Sequence, residues 1–183
     1  MTEPLFTAAG KVSWFGGPED TGVSPSEGLA FIYEYSTAPY LFLEKQPPNT
    51  TGLARRLDPE VFYVACRWDY AQTPKKLLAS SVQALVQAGD RKFLAWPADW
   101  GPHTSTGRVA DISPGLMEVL GIKTDDVVEV TYPAPPEAEM EVADAEAAVE
   151  AILARDRPAV PPPLRKLKEL AKRRLTKKKT KKK

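Results

Sequence analysis

The stretch "ADWGPHTSTGRVADISPGLMEVLG", residues 98–121, decides the fold. It sets Asp99 before a Trp100-Gly101-Pro102 turn, then a Gly107-Arg108 step and a second carboxylate, Asp111. A helix signature follows at once. Ser113 is a side chain that caps an N-terminus, Pro114 suits the first helical position, and Gly121 suits a left-handed stop. Leu116, Val119 and Leu120 share one face at helical spacing, so 113–121 is predicted to be a short helix. The next segment, "TDDVVEVTYP" (124–133), reads as a strand that closes the body.

Working outward, further strand-like runs alternate with turn residues. "KVSWFGG" (11–17) is a short β run stopped by paired glycines. "GLAFIYEYSTAPYLFLEKQ" (28–46), rich in aromatic and β-branched residues, reads as two strands broken at Ala38-Pro39. "PPNTTGLARRLDP" (47–59) is a loop by its Pro, Asn and Gly content, and "EVFYVACRWDY" (60–70) is another strand. Residues 77–99 suggest two strands around a Gly89-Asp90 turn, although the first half also suits a helix. No internal repeat of useful length is visible. Six or seven short strands with one helix near the end favour a compact β-barrel over a sandwich.

The 183 residues allow one ordinary domain with tails, and a 43% apolar content is enough for a core. No apolar run approaches the ~20 residues of a membrane span. The beginning, "MTEPLFTAAG", lacks the basic and apolar regions of a secretory signal, so synthesis in the cytoplasm is expected. The lone Cys66 excludes an intramolecular disulfide framework and is expected to be a buried structural thiol. A formal net charge of +1 conceals an asymmetry. Residues 165–183 hold twelve Lys or Arg and one Glu, which leaves the remainder at −10. The expected organisation is a barrel domain at 1–133, an acidic Ala/Glu-rich helix at 134–157, and a Pro-rich linker with a disordered Lys/Arg-rich tail at 158–183.

The order Asp99, Gly101-Pro102, Gly107-Arg108, Asp111-Ile112-Ser113, Leu120-Gly121 and "VVEVTY" resembles the signature of the double-psi β-barrel family. That family includes rare-lipoprotein-A-like murein enzymes, expansins and barwin-type domains. "GKVSWFGG" near the start is similar to the family's first strand. The resemblance covers 95–133 and 10–17, is weak over 20–90, and does not reach the tail. It implies a mainly β fold, a six-stranded double-psi barrel with a short helix, and a peptidoglycan-active protein of lytic-transglycosylase type. In that reading Asp99 is the acid/base. A non-catalytic, expansin-like polysaccharide-binding module is the alternative. Two features depart from the family: "VACRWDYAQTP" has no histidine where murein-cleaving members carry one, and the disulfides of the plant members are missing.

Cleaving a glycosidic bond requires a proton for a poor leaving-group oxygen, and a carboxyl of raised pKa can supply it. Asp99, between Trp96 and Trp100, and Asp111 are the catalytic candidates. Ser13, Trp68, Asp69, Tyr70, Trp100 and His103 are the substrate-binding candidates, with the indoles and the phenol as stacking surfaces. Each also has a plain structural reading. Asp99 can make a turn hydrogen bond. Asp111 can hold the helix start or pair with Arg108, and the tryptophans can be packing residues. One His and one Cys do not make a tetrahedral zinc site, and neither metal nor cofactor is expected. Lys177, Lys178, Lys179, Lys181, Lys182 and Lys183 can bind nucleic acid, another anionic polymer or an anionic surface, or serve solubility alone. Wall-type chemistry without an export signal raises the expectation of a phage protein, delivered in a virion or by a lysis pathway.

Overall fold

The computed structural model describes residues 4–136 and residue 138. These fall within one compact unit, Met1–Val149, and the second unit, Glu150–Lys183, lies outside them. The acidic helix expected at 134–157 lies outside the described residues except for its first few positions. The linker and the tail lysines lie wholly outside them.

Six strands close into a barrel: β1 (Phe6–Trp14), β2 (Tyr63–Cys66), β3 (Ala84–Ala88), β4 (Arg91–Asp99), β5 (Arg108–Ile112) and β6 (Val127–Tyr132). Around the barrel the order is β1-β5-β2-β4-β3-β6, and β6 returns to pair with β1. The pairs β1/β5 and β2/β4 are parallel, and the other four are antiparallel. Closure leaves no free edge. Exchanging β1 with β4, β2 with β5 and β3 with β6 leaves this set of pairings unchanged. Two short helices obey the same exchange: α1 (Lys75–Leu78) lies between β2 and β3, and α2 (Pro114–Leu120) between β5 and β6. The barrel is therefore a topological duplex whose halves share connectivity rather than residues, which is why no repeat is visible in the sequence.

The interior is filled by alternate residues of each strand, as the two-residue period requires. Val12, Val64, Cys66, Val86, Ala95, Ala110, Ile112, Val128 and Val130 form this core with Leu116 and Leu120 of α2. Burial of a side chain such as Ile112 contributes about 1.5–3 kcal/mol. Helix α2 has the ends expected of it: Ser113 Oγ accepts from the Leu116 amide at 3.3 Å, and Gly121 turns left-handed at φ 69°. Cys66 is fully buried, and loss of solvation pushes its thiol up to about 12, which makes it an unreactive packing residue. The Gly89-Asp90 hairpin joins β3 to β4, and of the first half of that region, which also suited a helix, only Leu77 and Leu78 are helical, as the end of α1.

The connection from β1 to β2, residues 15–62, departs from expectation. The two strands predicted within 28–46 are absent. Pro39–Leu41 forms a 3-10 turn, and ladder pairing is limited to a Phe42–Leu57 bridge. The apolar residues of this segment serve a second cluster instead. Leu29, Ile32, Leu41, Phe42, Ala54 and Leu57 pack with Phe15 and Tyr63 over Ala65 and Ala98. They cover part of the outer barrel face, so burial is achieved without sheet hydrogen bonds. The Tyr63 hydroxyl donates to the Phe15 carbonyl at 3.1 Å, and Asp20 ties the loop by accepting from Gly16 N at 2.6 Å and Gly22 N at 2.7 Å.

Candidate functional site

The uncovered part of the same outer face bears a row of residues across four adjacent strands. Ser13 on β1 is in register with Asp111 on β5, Asp111 with Ala65 on β2, and Ala65 with Asp99 on β4. One-residue register shifts deliver both aspartates to this row. Val12 pairs with Ala110 rather than Val109, and Ala65 with Asp99 rather than Ala98. Because a slip of one residue exchanges the faces of a strand, these irregularities decide where each carboxylate points. The two shifts occupy the two parallel pairs, which the topological exchange interconverts. Two strand spacings of about 4.7–4.9 Å place the Asp99 and Asp111 backbones on the order of 10 Å apart, with only the Ala65 methyl between them.

All four residues line an open cavity of about 380 Å³. Trp14 and Trp100 stand at it, 41% and 61% exposed. Asp20, Glu27, His103, Thr106 and Arg108 complete its polar lining. His103 is held by its own loop, with Nδ1 2.8 Å from Ser105 Oγ and accepting from the Ser105 amide at 3.2 Å.

The two carboxylates differ in environment. Asp99 Oδ1 accepts from the Trp100 amide at 2.8 Å and from the Ala30 amide at 3.1 Å. Burial raises its pKa, these two bonds oppose the rise, Glu27 adds to it, and Lys75 opposes it. The Asp111 carboxylate accepts no hydrogen bond from the described residues. Burial pushes its carboxyl up to about 6, with Arg108 opposing and Asp20 and Asp99 adding to the rise. The structural roles considered for Asp111 are thereby corrected. Ser113 holds the helix start, and the Arg108 Nε donates to Asp125 Oδ1 at 3.0 Å instead. Asp111 is left as a poorly solvated acid facing the groove.

Other expected site residues separate. Trp68 is not a stacking surface. It is 6% exposed, packed with Phe6 and Tyr132, and its Nε1 donates to the Asp99 carbonyl at 2.8 Å, so it braces the strand end. Asp69 lies away from the groove lining, where it accepts from Ala71 N and Gln72 Nε2, and these bonds lower its pKa. It caps a turn. Tyr70 is exposed outside the lining, and Lys75 Nζ lies 5.9 Å from its ring centroid and 5.6 Å from that of Trp100. Trp14, Asp20 and Glu27 belong to the groove and were missed as groove residues in the sequence. Counting alternation from Val12 places Trp14 inside the barrel, and nothing local reveals that residues 20–27 fold back over the row. Among the described residues no His, Cys, Asp and Glu group is arranged to hold a metal ion, and no helix is long and apolar enough to cross a membrane.

The chain matches no protein-family model, and no curated protein is significantly similar to it.

Proposed function

We propose that the closed barrel is a double-psi β-barrel and that its groove engages peptidoglycan glycan strands, cleaving them in the manner of a lytic transglycosylase. The observation that carries this reading is the Ser13–Asp111–Ala65–Asp99 row flanked by exposed Trp14 and Trp100. A sugar ring presents an apolar face to an indole and hydroxyls to carboxylates, and the groove offers both. The six-strand closure, the two parallel pairs and the exchange symmetry support the fold assignment.

The chemistry divides between the two acids. Asp111, protonated to a useful extent near neutral pH, donates its proton to the glycosidic oxygen as the bond from that oxygen to C1 breaks. The sugar's own 6-hydroxyl closes on C1 and gives up its proton to the carboxylate, which yields a 1,6-anhydro product and restores the acid. Asp99, fixed by two backbone amides, stabilises positive charge developing at C1. Asp99 was the leading acid in the sequence. Its hydrogen bonds favour the ionised form, so the acid role passes to Asp111 in this proposal.

The test is digestion of purified murein sacculi by the full-length protein, with products identified by mass spectrometry. Anhydro-muropeptides that vanish in both Asp111→Asn and Asp99→Asn establish the enzyme. Sacculus binding without products identifies a non-catalytic module, and absence of both refutes the reading.

A further inference from the structure

The lining of the groove is acidic, and the strand proposed to enter it carries acids of its own. Asp20, Glu27, Asp99 and Asp111 stand there against one guanidinium, Arg108, whose Nε is already engaged by Asp125. The N-acetylated rings of a murein strand are neutral. Its charge hangs from every second ring, as a lactyl carboxylate or as the acids of a stem peptide. Like charges repel, so these side groups are turned away from the middle of the groove and settle where a cation is within reach.

Lys75 is that cation at the Trp100 end. Its Nζ lies 5.6 Å from the Trp100 ring centroid and 5.9 Å from that of Tyr70. Contact with ring faces leaves its N–H donors available, and it forms no salt bridge among the described residues. The fold holds it there. Leu78 of α1 is fully buried in the barrel core, and the Tyr132 hydroxyl donates to the Leu77 carbonyl at 2.8 Å, so the turn that carries Lys75 is anchored twice. The other end of the row differs: among the described residues no lysine or arginine lies over the Trp14 ring.

Resting on the glycan reading above, we propose that Lys75 and the Trp100 ring form the subsite for the carboxylate-bearing unit of the strand, and so set the direction in which the strand lies. The sugar packs against the indole, and the ammonium donates to the carboxylate beside it. In the mechanism above, C1 of the reacting unit is beside Asp99, the residue that immediately precedes Trp100. The carboxylate-bearing unit is therefore the one that becomes the 1,6-anhydro product, and its neutral neighbour leaves on the Trp14 side. An ion pair at an exposed lysine is a weak one, so the preference is about threefold to fivefold.

The test titrates the full-length Asp111→Asn protein, in which turnover is stopped, by calorimetry with four tetramers. One alternates N-acetylglucosamine with N-acetylmuramic acid and has free lactyl carboxylates. The second has the lactyl groups as neutral amides, the third bears stem peptides on them, and the fourth is N-acetylglucosamine alone. The carboxylate tetramer is expected to bind about threefold to fivefold more tightly than the amide at low salt, and the difference shrinks as salt is raised. Adding Lys75→Gln removes the difference without changing the affinity for the N-acetylglucosamine tetramer. Lys75→Glu reverses it, and Lys75→Arg, which keeps the charge, preserves it. The peptide-bearing tetramer assigns the source: it matches the amide where Lys75 reads the lactyl carboxylate, and the free acid where Lys75 reads a peptide carboxylate. Equal binding of carboxylate and amide overturns the inference, as does a preference that survives Lys75→Gln. An equal loss in Lys76→Gln, at the next exposed lysine of α1, also overturns it, because the preference would then follow overall charge. Anhydro-muropeptides released from sacculi by the wild type leave the glycan reading standing in all of these cases. If no tetramer binds and sacculi are neither bound nor cleaved, both readings fall.

Discussion

Replacing Asp111 by Asn is expected to stabilise the protein above neutral pH, the opposite of what removal of an ordinary ion-paired carboxylate does. In the folded chain this carboxyl titrates at about 6, against an ordinary value of 3.8, because it is poorly solvated and faces Asp20 and Asp99. The folded state therefore binds the proton more tightly than the unfolded one. The associated stability is fully present below about pH 4 and is lost as pH rises through about 6. At about 1.4 kcal/mol for each tenfold difference in proton affinity, the ceiling is about 3 kcal/mol. Residual contact with solvent at the groove mouth brings the expected loss to about half of that. Asparagine has nearly the same shape and no charge, so Asp111→Asn should match the wild type at about pH 4 and exceed it by about 1.5 kcal/mol at about pH 8. Urea unfolding followed by tryptophan fluorescence across this range measures the difference directly. A difference that does not vary with pH, or an asparagine variant less stable at high pH, would falsify the assignment of Asp111 as a desolvated acid.

Three further outcomes follow from the same geometry. Arg108→Gln removes the cation that opposes the rise at Asp111, so the carboxyl midpoint read by carbon-detected NMR titration should move above its wild-type value; a downward move contradicts the electrostatic account. Gly101→Ala should destabilise by about 2–4 kcal/mol in denaturant unfolding, combining backbone strain with overpacking. Gly101 has φ +83°, and an added Cβ would lie 2.5 Å from the Cys66 carbonyl carbon and 2.8 Å from Arg67 N, atoms that cannot swing aside. Ala65→Val fills the space between the two carboxylates, so sacculus co-sedimentation should be lost while the far-ultraviolet circular dichroism spectrum stays that of the wild type.

The sequence was most legible where local rules coincide with the final packing. Ser113, Pro114 and Gly121 mark a helix through backbone chemistry that needs no distant partner, and the Gly89-Asp90 turn marks a hairpin in the same way. Residues 28–46 have the composition of strands, but their aromatic and branched side chains are spent on a second hydrophobic cluster. Burial satisfies them there without a ladder, and composition does not distinguish the two uses. The tryptophans show a related ambiguity: Trp68 and Trp100 both stand near an aspartate in sequence, yet one is a core brace and the other a groove rim. Only tertiary context separates them.

The carboxylate pair was legible as two residue types and illegible as a pair. Twelve positions separate Asp99 from Asp111, and the chain between them leaves β4, makes a turn at Thr104–Thr106 and re-enters as β5. The strands that hold the two residues are not neighbours, since β2 lies between them and supplies Ala65. Each aspartate reaches the outer face through a one-residue register shift, and without those shifts Ala98 would stand opposite Ala65 and Ala110 opposite Ser13. Alanines there would give a bland, apolar face, the kind that the β1–β2 connection covers elsewhere on the barrel. The two irregularities convert a packing surface into a groove with charged walls. They occupy the two parallel pairs, which the exchange interconverts, but the extra residue is on β5 in one pair and on β4 in the other, strands that the exchange does not relate, so the two acids reach the face by similar irregularities at unrelated positions. The sharpest consequence concerns register rather than residue identity: deleting Val109 removes the extra residue while leaving Ala110 opposite Val12 and Asp111 opposite Ser13 and Ala65, so the shortened chain should still fold near neutral pH with Asp111 at the groove, and loss of the native far-ultraviolet circular dichroism spectrum would refute the register argument.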